Sequence, residues 1–157
     1  VIYSPVFKDL YFAAKGIGSY KIDRDSFSSF IDSIETSTIE KLLNVAQKLP
    51  ILSNRENYVV VASRSHMSTE THQHIETLKL NHQHVEIVST GSSINMCWVA
   101  EGVADEYPRF GPTMEWDTAA GQAILQEANA SLIDFETKQP MKYNRENLLN
   151  NWFIAKR

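Results

Sequence analysis

The chain has 157 residues, of which 43% are hydrophobic and 22% are charged, and its formal charge is -4. This length and composition are typical of one soluble globular domain with a substantial core. Acidic residues outnumber basic ones by 19 to 15, and no Lys/Arg cluster is dense enough to form a basic stripe. These features exclude a nucleic-acid polymer as the expected partner.

The single cysteine, Cys97, excludes an intrachain disulfide. The sequence contains neither an 18-residue apolar run nor a charged leader followed by an apolar segment, so no transmembrane segment is predicted. We therefore expect a cytoplasmic, reducing setting. Because Cys97 lies in an apolar run, it is predicted to be a small buried side chain rather than a nucleophile.

The first 22 residues contain three short β-like runs separated by turn residues, at Ile2–Val6, Leu10–Ala13 and Gly18–Ile22. They predict a β-meander. Because the chain enters this first run directly from Val1, without an initiator methionine or a lead-in turn, we expect the sheet to be continued by a segment upstream. An open sheet edge also offers a route to a homodimer.

The remainder of the chain predicts alternating helices and strands. A capping box at Ser37–Glu40 starts a helix that Pro50 closes, and the apolar run Tyr58–Ala62 predicts a strand buried on both faces. The segments that follow are a helix at 69–80, a strand at 85–88, a helix at 93–102, a strand at 104–109, a helix at 117–128 and short strands at 132–154. This alternation indicates an α/β layered domain.

Three segments join a predicted strand to the next helix, and all three are rich in groups that bind phosphate. They are Ser63–His66, Thr90–Ser93 and Arg109–Thr118. Ligands of α/β domains bind beyond the carboxyl ends of the strands. We therefore expect the hydroxyls, the imidazole, the arginine and the helix N-termini of these segments to converge on one phosphate site.

Each segment also has a structural interpretation. Asp117 is predicted to open a helix, where aspartate commonly acts as an N-cap, with the neighbouring Trp116 packed against the helix start. Ser93 is a candidate cap of its own helix, His66 a candidate surface histidine, and Arg109 a candidate solvated charge. Capping and phosphate binding are compatible for the serines.

A histidine cluster suggests a zinc site, but its spacing disfavours one. Its members are His72, His74, His82 and His84. On the predicted helix the first two stand about 200° apart, and no Cys, Asp or Glu recurs at the spacing of a closed tetrahedral site. A solvated corner between helix and loop is the better interpretation.

The segment Tyr107–Thr113 followed by Trp116–Gly121 resembles the C-terminal signature of the inositol-monophosphatase-like superfamily, in the CysQ-type bisphosphate nucleotidase branch. The blocks Val60–His66, Gly91–Ser93 and Val99–Gly102 occur in the family order. The resemblance implies the C-terminal lobe of a layered α/β/α/β sandwich at 58–157. It implies the end of the N-terminal lobe's sheet at 1–25, and a connector with one helix at 26–57.

By this resemblance Asp117 is a Mg²⁺ ligand, while four further residues face the substrate's sugar and phosphates: His66, Ser92, Ser93 and Arg109. The implied enzyme is a magnesium-dependent phosphatase that removes the 3'(2')-phosphate of adenosine 3',5'-bisphosphate, as in sulfur assimilation or nucleotide recycling. The family's acidic pair and its Asp-Pro-x-Asp-Gly motif do not occur here. The catalytic, water-activating groups are therefore expected in an upstream N-terminal lobe, and we expect this chain to be nearly inactive without it.

One residue departs from the family pattern. Asn95 stands where the family usually has lysine, which leaves an inositol phosphate or another simple phosphomonoester as an alternative substrate. A non-catalytic module that binds a nucleotide or phosphate is the alternative from a different class.

Overall fold

The computed structural model describes residues 1–31, 38–51, 54–62 and 67–157, and its elements form two β-sheets and five helices. The strands are β1 (Ile2–Ser4), β2 (Asp9–Ala14), β3 (Gly18–Ile22), β4 (Gln47–Lys48), β5 (Tyr58–Val61), β6 (Val85–Val88), β7 (Glu106–Arg109), β8 (Ser131–Asp134) and β9 (Phe153–Lys156). The helices are α1 (Arg24–Ile31), α2 (Ile39–Val45), α3 (Thr69–Asn81), α4 (Ile94–Glu101) and α5 (Glu115–Glu127).

The first sheet is the predicted meander, extended by one strand. It is antiparallel in the order β1-β2-β3-β4, with Tyr11 of β2 opposite Ile2 of β1 and Lys21 of β3. Tyr11 is fully buried on the face that packs, with Ile2 and Ala13, against the main core. Ile22 pairs with Leu10, lies on the opposite face and is fully buried as well.

The second sheet has the order β6-β5-β7-β9-β8. Its β6, β5 and β7 are parallel, whereas β9 runs antiparallel to both β7 and β8. Val59, Val60 and Val61 of the central β5 are all buried, which confirms the predicted strand with two covered faces. Parallel strands of this kind need helical crossovers, and these supply helices to both faces.

Helices α4 and α5 lie between the two sheets. On one side α5 contacts β2 and β3, and on the other α4 and α5 contact strands β7, β8 and β9. Helix α3 covers the opposite face of the second sheet, where Ile75 packs with Val60 and Ala62, while Val59 and Val61 join the core on the α4 side. The predicted α/β layering is confirmed.

The segment between the two sheets differs from the prediction of a connector with one helix. It contains two helices, α1 and α2, and also β4, which pairs with β3. Helix α1 begins after Asp23, whose side chain accepts a hydrogen bond from the Ser26 amide at 2.9 Å and caps it. A Ser/Asp-rich composition suggested a connector, but the same residues cap short helices. The domain limits at residues 25 and 57 stay a prediction.

A buried polar cluster joins the first sheet to α4. The Tyr11 hydroxyl donates to Glu101 at 2.7 Å, and the Lys21 ammonium contacts Glu101 at 2.9 Å and Asp9 at 3.3 Å. Burial raises the pKa of Tyr11 far above its ordinary value, and the neighbouring Glu101 carboxylate raises it further. The hydroxyl therefore stays protonated and remains a donor to Glu101.

Two further expectations concern burial and the membrane. Cys97 is fully buried, as predicted, and burial raises the pKa of its thiol well above the usual range. A buried, protonated thiol is a poor nucleophile. Within the described ranges, none of the helices combines the length and the apolar character needed to cross a bilayer.

Candidate functional site

A cleft of about 300 Å³ opens where the parallel strands β6 and β7 end and helices α4 and α5 begin. We call it the phosphate cleft. Its walls come from Thr90–Ser93, the first turn of α4, the segment after β7 and the first turn of α5. The carboxyl ends of parallel strands, where ligands of α/β proteins bind, therefore carry three of the predicted site residues together with Asp117.

Asp117 is exposed in this cleft at the third position of α5. One of its carboxylate oxygens, Oδ2, accepts a hydrogen bond from the backbone N–H of Met114 at 2.8 Å. This bond fixes the carboxylate at the helix N-terminus, where a negative charge is stabilised by the helix dipole. The prediction that Asp117 is itself the N-cap is wrong, because Met114 occupies that position and α5 starts at Glu115.

Glu115 anchors the start of α5 from the other side. Its buried carboxylate accepts hydrogen bonds from the backbone N–H of Asn144 at 2.7 Å and of Arg145 at 3.2 Å, and from Arg145 Nε at 2.9 Å. Burial opposes ionisation of Glu115, but these donors outweigh it and hold its pKa below the ordinary value. The C-terminal segment is thereby fastened to the first turn of the helix that carries Asp117.

Asn150 completes this attachment. Its side-chain amide donates to the Met114 carbonyl at 2.8 Å, to Thr118 Oγ1 at 3.1 Å and to Thr113 Oγ1 at 3.2 Å. Its backbone N–H donates to the Thr113 carbonyl at 2.8 Å. Asn150, a buried residue of the C-terminal segment, therefore holds the turn around Met114 by hydrogen bonds on both sides of it.

Ser92 and Ser93 form the opposite wall. Ser92 has a left-handed backbone (φ 57°), and Ser93 is the N-cap of α4, but its hydroxyl makes no capping hydrogen bond. The two hydroxyl oxygens lie 3.5 Å apart. The prediction that this segment caps the helix is confirmed, because Ser93 is the N-cap of α4. Because its hydroxyl makes no capping hydrogen bond, it can bind a ligand at the positive end of α4.

Arg109 and Asn95 lie at the base, where the phosphate cleft meets a second cavity of about 320 Å³ that both residues also line. Arg109 Nη2 donates to the Pro112 carbonyl at 3.5 Å, and its Nε is buried without a partner among the described residues. Asn95 is buried, and its Oδ1 likewise has no partner within the described part of the chain. Buried polar atoms without partners are costly, and they occur at the two positions where the site would hold a ligand.

The structure brings together four of the five predicted site residues, which are Ser92, Ser93, Arg109 and Asp117. The fifth, His66, lies outside the described residues with the rest of Ser63–His66, and its role stays a prediction. Trp116 does not pack against the helix start as expected, since it is 66% exposed.

Sequence reasoning missed Glu115, Arg145 and Asn150. The acidic residue in the first turn of α5 was a usable signal, since such residues stabilise helix starts. No signal in the sequence points to Asn150, because its partners Thr113 and Thr118 lie more than 30 positions away in the chain.

The histidines behave as structural residues where the structure shows their contacts. His74 Nε2 contacts the buried carboxylate of Glu106, which also accepts a hydrogen bond from the Tyr58 hydroxyl at 2.9 Å. The His82 ring stacks on Tyr58 at a centroid distance of 3.8 Å. Two members of the cluster are thus engaged with protein groups.

The phosphate cleft offers the type of ligand that a hard cation needs, but too few of them among the described residues. Asp117 is the single acidic side chain that lines the cleft among the described residues, and its Oδ1 makes no hydrogen bond to another part of the described chain. Carboxylate oxygen is the ligand that Mg²⁺ prefers. Within the described ranges, however, no group of three or more His, Cys, Asp or Glu side chains is placed to hold a metal ion.

Comparison with protein families finds that the model of the Inositol monophosphatase family matches residues 1–156. The 3'(2'),5'-bisphosphate nucleotidase CysQ of Salmonella typhimurium is 39% identical over 153 residues, which are 98% of this chain and 52% of that protein. CysQ of Escherichia coli K12 is 38% identical over 154 residues, with the same coverage of 98% and 52%. The chain spans about half the length of the curated relatives it matches.

Solved structures agree with this fold. The crystal structure of CysQ from Bacteroides thetaiotaomicron superposes with a TM-score of 0.89 at 45% identity, covering 99% of this chain and 56% of that chain. The 2'AMP-bound SaIMPase-II superposes with a TM-score of 0.65 at 16% identity, covering 98% of this chain and 49% of that chain. The second likeness shows the shared fold alone.

Proposed function

Because the chain belongs to the inositol monophosphatase family, we propose that it forms the substrate-binding half of a magnesium-dependent phosphatase that removes the 3'(2')-phosphate of adenosine 3',5'-bisphosphate. The single observation that carries the proposal is the phosphate cleft, where an exposed carboxylate faces two serines and an arginine across about 300 Å³. Curated relatives with this activity in their names are 38–39% identical over nearly the whole chain.

Each residue has a distinct role in this proposal. Ser92 and Ser93 donate hydroxyl hydrogen bonds to phosphate oxygens at the N-terminus of α4, and Arg109 supplies the positive charge. Asp117 offers Oδ1 to a magnesium ion while Oδ2 stays on the Met114 N–H. When bound, magnesium supplies charge neutralisation on the phosphoryl oxygens and activates the attacking water. His66 is proposed to contact the sugar.

Within the described ranges no group of three or more acidic, His or Cys side chains is placed to hold a metal ion, and we propose that another polypeptide segment supplies the remaining ligands. We therefore propose that the described residues bind the substrate and position it, and that hydrolysis requires the other segment. The uncharged Asn95 in the cleft leaves an inositol phosphate as the second candidate substrate. A binding module without catalysis is a further candidate, since no complete cluster of metal ligands lies within the described residues.

Calorimetric titration of the 157-residue chain with adenosine 3',5'-bisphosphate, with and without Mg²⁺, tests the proposal. We expect Mg²⁺ to strengthen binding and Asp117→Asn to abolish that gain. Glu136→Gln is the matched control, because Glu136 is an exposed acid outside the cleft, and it should behave as the wild type does.

Three results would count against parts of this assignment. Binding that is independent of Mg²⁺ and unchanged by Asp117→Asn favours the non-catalytic module. Tighter binding of inositol monophosphate than of the nucleotide favours the second substrate. Robust Mg²⁺-dependent phosphate release by this chain would show that its catalytic set is complete, contrary to the proposal.

A further inference from the structure

A second cavity of about 310 Å³ lies on the outer face of the second sheet, between α3 and the ends of β7, β8 and β9. We call it the aromatic slot. One wall consists of three aromatic rings, namely Phe110, Phe135 and Trp152. Their centroids are 4.8 to 6.5 Å apart, and Trp152 is 37% exposed. Because Phe110 is only 6% exposed and packs against the other two rings, the π-faces open to a planar ligand are those of Phe135 and Trp152.

The facing wall is a polar stripe of α3. Its residues recur at helical spacing and share one face of the helix: Glu70, Gln73, His74 and Thr77. No hydrogen bond or ion pair within the described chain engages the side chains of Glu70 and Gln73. Polar side chains with free bonding capacity thus face aromatic rings across an open space.

The two walls together define the chemistry of a ligand. The aromatic wall favours a flat ring, since stacking on an aromatic side chain contributes about 1–3 kcal/mol per nucleobase. The Gln73 amide offers one donor and one acceptor, the pair that matches the amino group and ring nitrogen of adenine. The Glu70 carboxylate accepts from a further N–H and, being negative, disfavours a phosphate. The described lining residues include no arginine or lysine, and the nearby Lys138 ammonium is engaged with the Phe135 ring, 3.7 Å from its centroid.

The aromatic slot is separate from the phosphate cleft. None of its described lining residues lines the cleft, and Phe110 alone is shared with the neighbouring second cavity that Arg109 and Asn95 also line. From these contacts we propose that the aromatic slot is a second binding site, specific for an amino-substituted planar heterocycle such as a purine base or nucleoside. This inference does not depend on the proposed phosphatase function.

Titration of the ¹⁵N-labelled chain with adenine, monitored by the indole N–H signals, tests the inference. The chain has three tryptophans, and the Trp152 signal is assigned by its loss in Trp152→Phe. We expect adenine to shift the Trp152 signal saturably, while the signal of Trp116, beside Asp117, stays in place. The double substitution Glu70→Ala with Gln73→Ala should weaken binding about five-fold or more.

Glu76→Ala is the matched control, since it removes the same charge from the same helix at a side chain that is 51% exposed and lies outside the slot. It should leave the adenine affinity unchanged. A Trp152 signal that stays in place up to the solubility limit of adenine would overturn the inference. So would equal affinity for phenol, which lacks ring nitrogens and amino groups, or a shift that appears at Trp116 instead.

Discussion

Removing the Asn150 side chain is expected to loosen the turn that positions Asp117. In Asn150→Ala the Met114 carbonyl loses its 2.8 Å donor, and two threonine hydroxyls lose contacts at 3.1 and 3.2 Å. The amide has two hydrogens for these three acceptors, and its Oδ1 also accepts a hydrogen bond from Arg145 Nη2 at 3.3 Å. About three net bonds are therefore lost, at roughly 1 kcal/mol each. We therefore expect the free energy of unfolding to fall by about 2–3 kcal/mol.

Urea denaturation measures this change, with Asn147→Ala as the matched control. Asn147 lies in the same tail, is exposed, and accepts one local hydrogen bond from the Leu149 N–H at 3.0 Å. Its substitution is expected to change the free energy of unfolding by no more than about 0.5 kcal/mol. Equal midpoints for the two variants would refute the view that Asn150 holds this turn.

Two further substitutions test the buried polar contacts. Tyr11→Phe removes the hydroxyl that donates to Glu101 at 2.7 Å and should reduce the free energy of unfolding by about 1–3 kcal/mol. Tyr20→Phe is the control, because it loses a single exposed hydrogen bond at 3.0 Å and should reduce the free energy of unfolding by less. Equal reductions for the two variants would contradict the expectation. Glu115 has a lowered pKa, so its contribution is present above its ordinary pKa and is lost as the pH falls through the lowered value. Glu115→Gln should therefore make the free energy of unfolding depend less steeply on pH in the acid range, whereas Glu136→Gln should leave that dependence unchanged. Parallel curves for the wild type and Glu115→Gln would argue against a stabilising role for the ionised Glu115 carboxylate.

Elements with regular local patterns could be predicted from the sequence. The valine run of β5 predicts a strand and the residue spacing of α3 predicts a helix. Burial on two faces, or along one stripe, leaves a distinct residue pattern in each case. The site segments could be predicted as well, since they follow parallel strands whose ends meet at one edge of the sheet.

Contacts between distant parts of the chain could not be predicted. Helix α5 starts at Glu115 and not at the predicted Asp117, because Asn144, Arg145 and Asn150 bind its first turn. The local sequence around Asp117 gives no indication of these distant partners. Trp116, which was expected to pack against this helix start, is 66% exposed. Tertiary hydrogen bonds override local preference at this helix start.

The geometry of the phosphate cleft depends on both sheets, although its residues come from the second sheet and from the loops and helices that follow its strands. Helix α4 carries Ser93 at one end and Glu101 at the other, and Glu101 is held by the first sheet through Tyr11 and Lys21. Helix α5 lies so close to α4 that a Cβ added at Gly121 would stand 2.6 Å from the sulfur of a buried methionine on α4. A displacement of the first sheet would therefore move Ser93 through α4. It would also move the Asp117 side of the cleft through the close contact between α4 and α5 at Gly121. The β-meander thus helps to set the distance across the cleft.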